Sequence, residues 1–162
     1  MGSGDRQLHR DGARGNSPHY HSVALLLPDG RVFSGGGGLC NNCTTNHPDG
    51  QIYSPPYLFN PDGTPRTRPV ITTAPASAAI GSAITATTNS ATPTFALVRM
   101  SAVTHSVNND QRRIPLTPTA VNGTTYTLQL PGDPGIVLPG NYMLFALDAN
   151  GTPSVAAIMN IR

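Results

Sequence analysis

Apolar residues in this chain come in short runs cut by Gly, Pro, Asn and Asp, and no run carries the three-to-four spacing of an amphipathic helix. The first clear element lies between His21 and Ser34. His21 to Leu27 is almost continuously apolar and predicts a buried strand, Pro28-Asp29-Gly30 a turn, and Arg31 to Ser34 the return strand of a hairpin. Gly35 to Gly38 follow. A glycine run closing a strand suits a place where backbone approaches backbone, as at the narrow centre of a radial sheet. No helical pattern follows it, so an anion cradle is disfavoured. Leu39 to Pro48 reads as a loop, and Gln51 to Phe59 as a third strand broken by Pro55-Pro56.

Asn60 to Pro69 has the composition of a linker. Beyond it the pattern becomes regular, with strands predicted at Val70–Thr73, Ala83–Thr88, Thr94–Met100, Arg112–Thr117, Thr124–Leu130, Asn141–Asp148 and Ser154–Ile161. Turn residues separate them at the spacing of a β-sandwich. Thr125 to Leu130 alternates with period two, as a half-buried strand should. The expected fold class is therefore all-β, an immunoglobulin-like sandwich over residues 69–162, preceded by a small sheet over residues 20–68 that includes the linker. Residues 1–19 are polar and are set aside as a leader or appended segment expected to be flexible. The sandwich has enough strands to fold alone. The small sheet does not, and needs cover from the sandwich or from other protein.

Composition narrows the partners. All ten basic side chains are Arg and all eight acidic ones are Asp; Lys and Glu, the usual fillers of exposed helix faces, are absent. With 17 Gly and 16 Pro, that absence reinforces the all-β reading. The net charge of +2 and the single basic pair Arg112-Arg113 give no nucleic-acid footprint. No apolar run approaches membrane-spanning length, and no signal peptide is recognisable at the start, so neither membrane nor nucleic acid is an expected partner.

Few residues can carry chemistry. Tyr20 and His21 adjoin at the mouth of the first strand, and His105 lies in the polar loop between the strands ending at Met100 and beginning at Arg112. Imidazole is the commonest neutral metal ligand, and phenolate is a hard anion suited to oxidised transition metals. Neighbours in a regular strand face opposite ways, so Tyr20 and His21 can share one metal only where the backbone turns. Solvated or hydrogen-bonded histidines are the commoner outcome for such letters. His19-x-His21 would face one way and reads first as a surface pair; His9 and His47 have no sequence partner. Cys40-x-x-Cys43 has three readings: a zinc half-site with His47 nearby, a redox pair, or a local disulfide, the last being preferred. Asp110 to Arg113 could face a substrate, but such clusters more often hold a hairpin together.

Three stretches carry a resemblance. Tyr20 to His47, with its Leu25-Leu26-Leu27, Pro28-Asp29-Gly30, Gly35–Gly38 and Cys40-x-x-Cys43 features, resembles the last propeller blade of galactose oxidase and the related glyoxal oxidases, the copper radical oxidases. So do Val103 to Leu116, around His105, and Leu138 to Ala156. The resemblance implies a kelch-type propeller blade followed by an early-set sandwich. It implies copper as cofactor, with Tyr20 the axial tyrosine and catalytic base, and His21 and His105 the equatorial ligands, His105 delivered by the sandwich. It also implies a Cys40–Cys43 disulfide and a secreted parent.

The family's radical tyrosine and its cysteine crosslink come from earlier blades and match nothing here; Tyr53, Tyr57, Tyr126 and Tyr142 fill none of these roles. The resemblance thus points to a C-terminal part of an oxidase turning a primary alcohol or aldehyde and O₂ into oxidised product and H₂O₂. Such a part would contribute three ligands and be inactive alone. Its partners would be the remaining blades or a second chain, with an alcohol, aldehyde or sugar as the parent's substrate. The alternative is a stand-alone carbohydrate- or protein-binding sandwich with a vestigial metal site. The uncovered blade also offers a surface for a homo-oligomer.

Overall fold

The structure, a computed structural model, describes residues 21–37, 49–92, 94–104 and 107–162. Three strands come first: β1 (Val23–Leu26), β2 (Val32–Gly35) and β3 (Gly50–Tyr53), antiparallel in the order β1-β2-β3. The turn between β1 and β2 is pinned by Asp29. Its carboxylate accepts the Arg31 backbone N–H at 3.0 Å and the Arg31 Nε at 2.7 Å.

The glycines at the far end of this sheet have a packing cause. Gly35 faces Gly50 across the ladder, and the Phe33 ring, two residues back on the same face, lies over both. A Cβ on Gly35 would come within 2.6 Å of that ring, and one on Gly50 within 2.7 Å. Phe33 thus supplies the apolar cover that two glycines cannot.

The third strand is shorter than its expected span. It ends at Tyr53, and Pro56–Leu58 forms a turn of 3-10 helix. Pro55 and Pro56 donate no backbone hydrogen bond to a ladder and their fixed φ suits a helical first turn. The turn places the Tyr57 hydroxyl to donate to the Gly30 carbonyl.

The sandwich follows. One sheet contains β4 (Ile71–Thr73), β6 (Ala83–Thr88), β9 (Pro118–Asn122) and β10 (Thr125–Gln129), in the order β4-β6-β10-β9. The other contains β5 (Ser77–Ala78), β7 (Thr94–Arg99), β8 (Arg113–Leu116), β11 (Gly140–Leu147) and β12 (Ala157–Ile161), in the order β5-β12-β11-β7-β8. Among the described residues, only β5 with β12 is parallel. Among the described residues there is no α-helix, and no helix is long and apolar enough to cross a membrane.

All seven anticipated sandwich strands are present, with ends moved by a few residues. Two more, β5 and β9, were not anticipated. β5 is two residues long, too short to show a period. β9 opens on a proline and is exposed along most of its length, as an edge strand can be.

The main core lies between the two sheets. Ile84, Phe95, Leu97, Tyr126, Leu128, Tyr142, Leu144 and Met159 are among its members, and the Phe95 and Tyr126 rings meet with centroids 5.1 Å apart. Tyr142 is fully buried, and its hydroxyl donates to the Leu138 carbonyl at 2.8 Å. Tyr126 keeps its hydroxyl satisfied by accepting the Thr92 N–H at 2.9 Å. These two tyrosines belong to the framework.

A second apolar cluster sits on the opposite face of the five-stranded sheet. Val98, Met143 and Phe145 are buried there, against Leu26 of β1, Leu147 and Ala156. The Ala156 N–H donates to the Pro28 carbonyl at 2.8 Å. The Arg68 guanidinium donates to the carbonyls of Pro153 and Ser154, both at 2.7 Å. The sandwich therefore covers the β1–β2 turn end of the small sheet, while Ile52 and Tyr53 of β3 stay exposed.

Candidate functional site

Of the proposed copper ligands, His21 lies within the described structure. Tyr20, His105, Cys40 and Cys43 lie outside the described residues, as do His9, His19 and His47. Among the described residues no group of three or more His, Cys, Asp or Glu is placed to hold a metal.

At His21 the backbone turns out of the extended region. Its φ is +67°, and no other non-glycine residue among those described has a positive φ. The left-handed region costs an L-residue roughly 1–2 kcal/mol, so the surrounding structure holds this turn. Gly36 is part of what holds it. With φ +77°, it brings its own Cα so close to the His21 carbonyl that an added Cβ would sit 3.0 Å from that oxygen. The glycine run after β2 thus has a second use, beside the mouth of β1.

The loop between β7 and β8 carries position 105. Its two arms are joined just outside that position. Thr104 and Val107 form an antiparallel bridge, with the Val107 N–H donating to the Thr104 carbonyl at 2.8 Å. At the base of the loop, the Arg99 guanidinium pairs with Asp110 and also donates to the Pro139 carbonyl at 2.9 Å. Gly140 makes room for it, since a Cβ there would meet Arg99 Nη2 at 3.0 Å. Asn108 and Gln111 bond side chain to side chain at 3.1 Å, and Arg112 donates to the Gly135 carbonyl at 3.0 Å. The Asp110–Arg113 cluster is thus largely committed to shaping the loop. Arg99, which closes it, went unnoticed in sequence because it ends an otherwise apolar strand; the charge stranded there was the available signal.

This loop faces β1. A cleft of about 320 Å³ is lined by Ser22, Val23, Ala24 and Leu25 on one side and by Val103, Asn108 and Gln111 on the other. The mouth of the first strand and the loop of the sandwich, far apart in sequence, border one space.

A second cleft, of about 260 Å³, opens where the β1–β2 turn meets the outer face of the sandwich. Leu26, Tyr57, Val98, Phe145 and Pro153 line it, with Arg113 as its charged group. Burial pushes the Tyr57 phenol above its ordinary range, against the pull of the Arg68 charge. A phenol held protonated suits donation to the Gly30 carbonyl.

Comparison with known proteins settles the family. The model of the galactose oxidase-like early-set domain matches residues 68–161. The chain belongs to the galactose oxidase-like early-set family. A galactose oxidase of Gibberella zeae is 52% identical over 143 residues, covering 88% of this chain and 21% of that protein. An aldehyde oxidase, GLOX, of Vitis pseudoreticulata is 32% identical over 152 residues, covering 85% of this chain and 28% of that protein. Among solved structures, a fungal alcohol oxidase of the AA5 family, in complex with copper, superposes with a TM-score of 0.81 at 48% identity. The match covers 86% of this chain and 30% of that one. The chain spans between about a fifth and somewhat over a quarter of the length of these curated relatives. The strand pattern predicts an immunoglobulin-like sandwich and the resemblance an early-set one; the family match bears out both, and the sequence is homologous to copper radical oxidases.

Proposed function

We propose that this early-set chain is the copper-ligand-bearing C-terminal part of a secreted copper radical oxidase. The parent would convert a primary alcohol or aldehyde and O₂ to the oxidised product and H₂O₂. Residues 20–68 would be the last kelch blade with its linker, and residues 69–162 the early-set domain. The remaining blades, from the parent or from a second chain, are the natural partner.

The observation that carries this reading is the cleft between β1 and the 101–111 loop. It is bordered by the two segments that bear Tyr20 and His21 on one side and His105 on the other. The donor set fits copper: two neutral imidazoles with one phenolate suit an oxidised, borderline metal. The turned backbone at His21 fits a site that draws on adjacent residues.

Within such a site His21 and His105 would each give one ring nitrogen, and Tyr20 would take the proton of the substrate hydroxyl. Copper, when bound, would accept one of the two electrons removed from the substrate. Among the described tyrosines, Tyr126 and Tyr142 are committed to the core and Tyr57 to Gly30, and neither these nor Tyr53 match the family's radical tyrosine, which would store the second. The chain alone is therefore expected to bind Cu(II) and to make no peroxide.

Titration with Cu(II), followed by electron paramagnetic resonance, tests the ligand set. Loss of a single bound copper in both His21→Ala and His105→Ala supports it. No binding by the wild-type chain favours a carbohydrate- or protein-binding module with a vestigial site. Peroxide formed by the pure chain with copper and galactose or glyoxal would overturn the expected inactivity.

A further inference from the structure

We infer that Asn122, at the tip of the β9–β10 hairpin, is a site of N-linked glycosylation. The inference rests on the secreted reading above. Three Asn-x-Ser/Thr triplets occur in the chain: Asn42-Cys43-Thr44, Asn122-Gly123-Thr124 and Asn150-Gly151-Thr152. The first lies outside the described residues.

Folding treats the other two differently. In the third triplet the backbone N–H groups of Asn150 and Thr152 both donate to the Asp148 carboxylate at 2.8 Å, and Thr152 is fully buried. Its hydroxyl, which the transferring enzyme needs, closes off once the chain folds. In the second triplet Asn122 pairs with Thr125 across a two-residue loop, and Gly123 takes φ +60° with no atom within 4 Å of where a Cβ would stand. Asn122 is exposed and Thr124 half-exposed. The acceptor amide and the hydroxyl stay accessible before and after folding, and the space around the turn is open.

The transfer is a simple displacement. The Asn122 side-chain nitrogen bonds to the anomeric carbon of an oligosaccharide, a lipid-linked pyrophosphate leaves, and the amide gives up one proton. No redox partner is involved.

The location gives the sugar a physical role. β9 is the edge of its sheet, and the adjacent Val121 is 61% exposed, more than any other large hydrophobic residue described. An unpaired edge carrying apolar side chains is a template for unwanted pairing. A glycan rooted at Asn122 would stand beside that edge and screen it.

The test is to express the whole chain behind a secretion signal in a eukaryotic host. Chain from the medium and chain retained in the secretory compartments are both mapped by mass spectrometry, with and without peptide N-glycosidase. Conversion of Asn122 to Asp by that enzyme, with the glycan lost in Asn122→Gln and also in Thr124→Ala, supports the inference. Unmodified Asn122 in a chain that has entered the secretory route overturns it, whether or not Asn42 or Asn150 is modified. A natural gene without a secretory leader would instead overturn the secreted reading, and with it any glycan in the native protein. The two failures are therefore distinguishable.

Discussion

Gly36 has no side chain because of one oxygen, the carbonyl of His21. Gly36→Ala adds a Cβ 3.0 Å from that oxygen at a φ of +77°. It should lower stability by about 1–2 kcal/mol, read from urea unfolding, and weaken Cu(II) binding beyond the loss expected from stability alone. Asp29 makes a second residue-scale prediction. Partial burial raises its pKa, but the hydrogen bonds and charge of Arg31 outweigh that and hold it below its ordinary 3.8. A carboxylate with a depressed folded pKa stabilises above its unfolded pKa and loses that contribution as pH falls through the folded one. Stability should therefore decline below about pH 4, and Asp29→Asn should flatten that decline in thermal melts taken across the acid range. At this scale sequence was a partial guide. It said that Tyr20 and His21 could share a metal only where the backbone turns, and His21 has a φ of +67°. It did not identify Gly36 as the reason, because a run of four glycines does not say which one meets a neighbour.

Elements were more legible than single residues wherever one face meets water. β10 alternates in sequence and in burial, so it could be read directly, and β6 alternates in burial. β9 and β5 could not. An exposed edge needs no apolar period, and a two-residue strand cannot show one. Apolar Tyr57, Leu58 and Phe59 continue the third strand's pattern past the prolines, but Tyr57 and Leu58 belong to the 3-10 turn and Phe59 caps it. The loop that carries position 105 is itself an element with a specific lock, Arg99 on Asp110. Asp110→Ala should cost about 1–2 kcal/mol. It should also increase hydrogen exchange in residues 101–111 more than in β7 itself, measured by mass spectrometry. Uniform exchange across the sandwich would argue that the pair serves general stability rather than the loop.

At the scale of the whole molecule, the end of the small sheet around Leu26 packs on the outer face of the sandwich. Strand counting leads one to expect that residues 69–162 can stand alone, and the core between the sheets is complete without β1. The opposite face is not. A chain shortened to residues 69–162 would uncover Val98, Met143 and Phe145 where Leu26 now lies. It should melt lower than the full chain and bind a hydrophobic dye, and Phe145→Ala in the full chain should cost about 3–5 kcal/mol. Hydrophobic periodicity could not announce this. When both faces of a strand are covered, its apolar run looks the same whether the second cover is a neighbouring sheet or a helix. β7 and β11 are buried at consecutive positions through their middles, whereas β6 and β10 are buried mainly at alternate ones. The two pairs should leave different marks on descent. Substitutions accepted over time should recur at every second residue of β6 and β10, while β7 and β11 show no such rhythm. In them each side chain answers either to the opposite sheet or to the hairpin, so drift in one layer must be matched by drift in another.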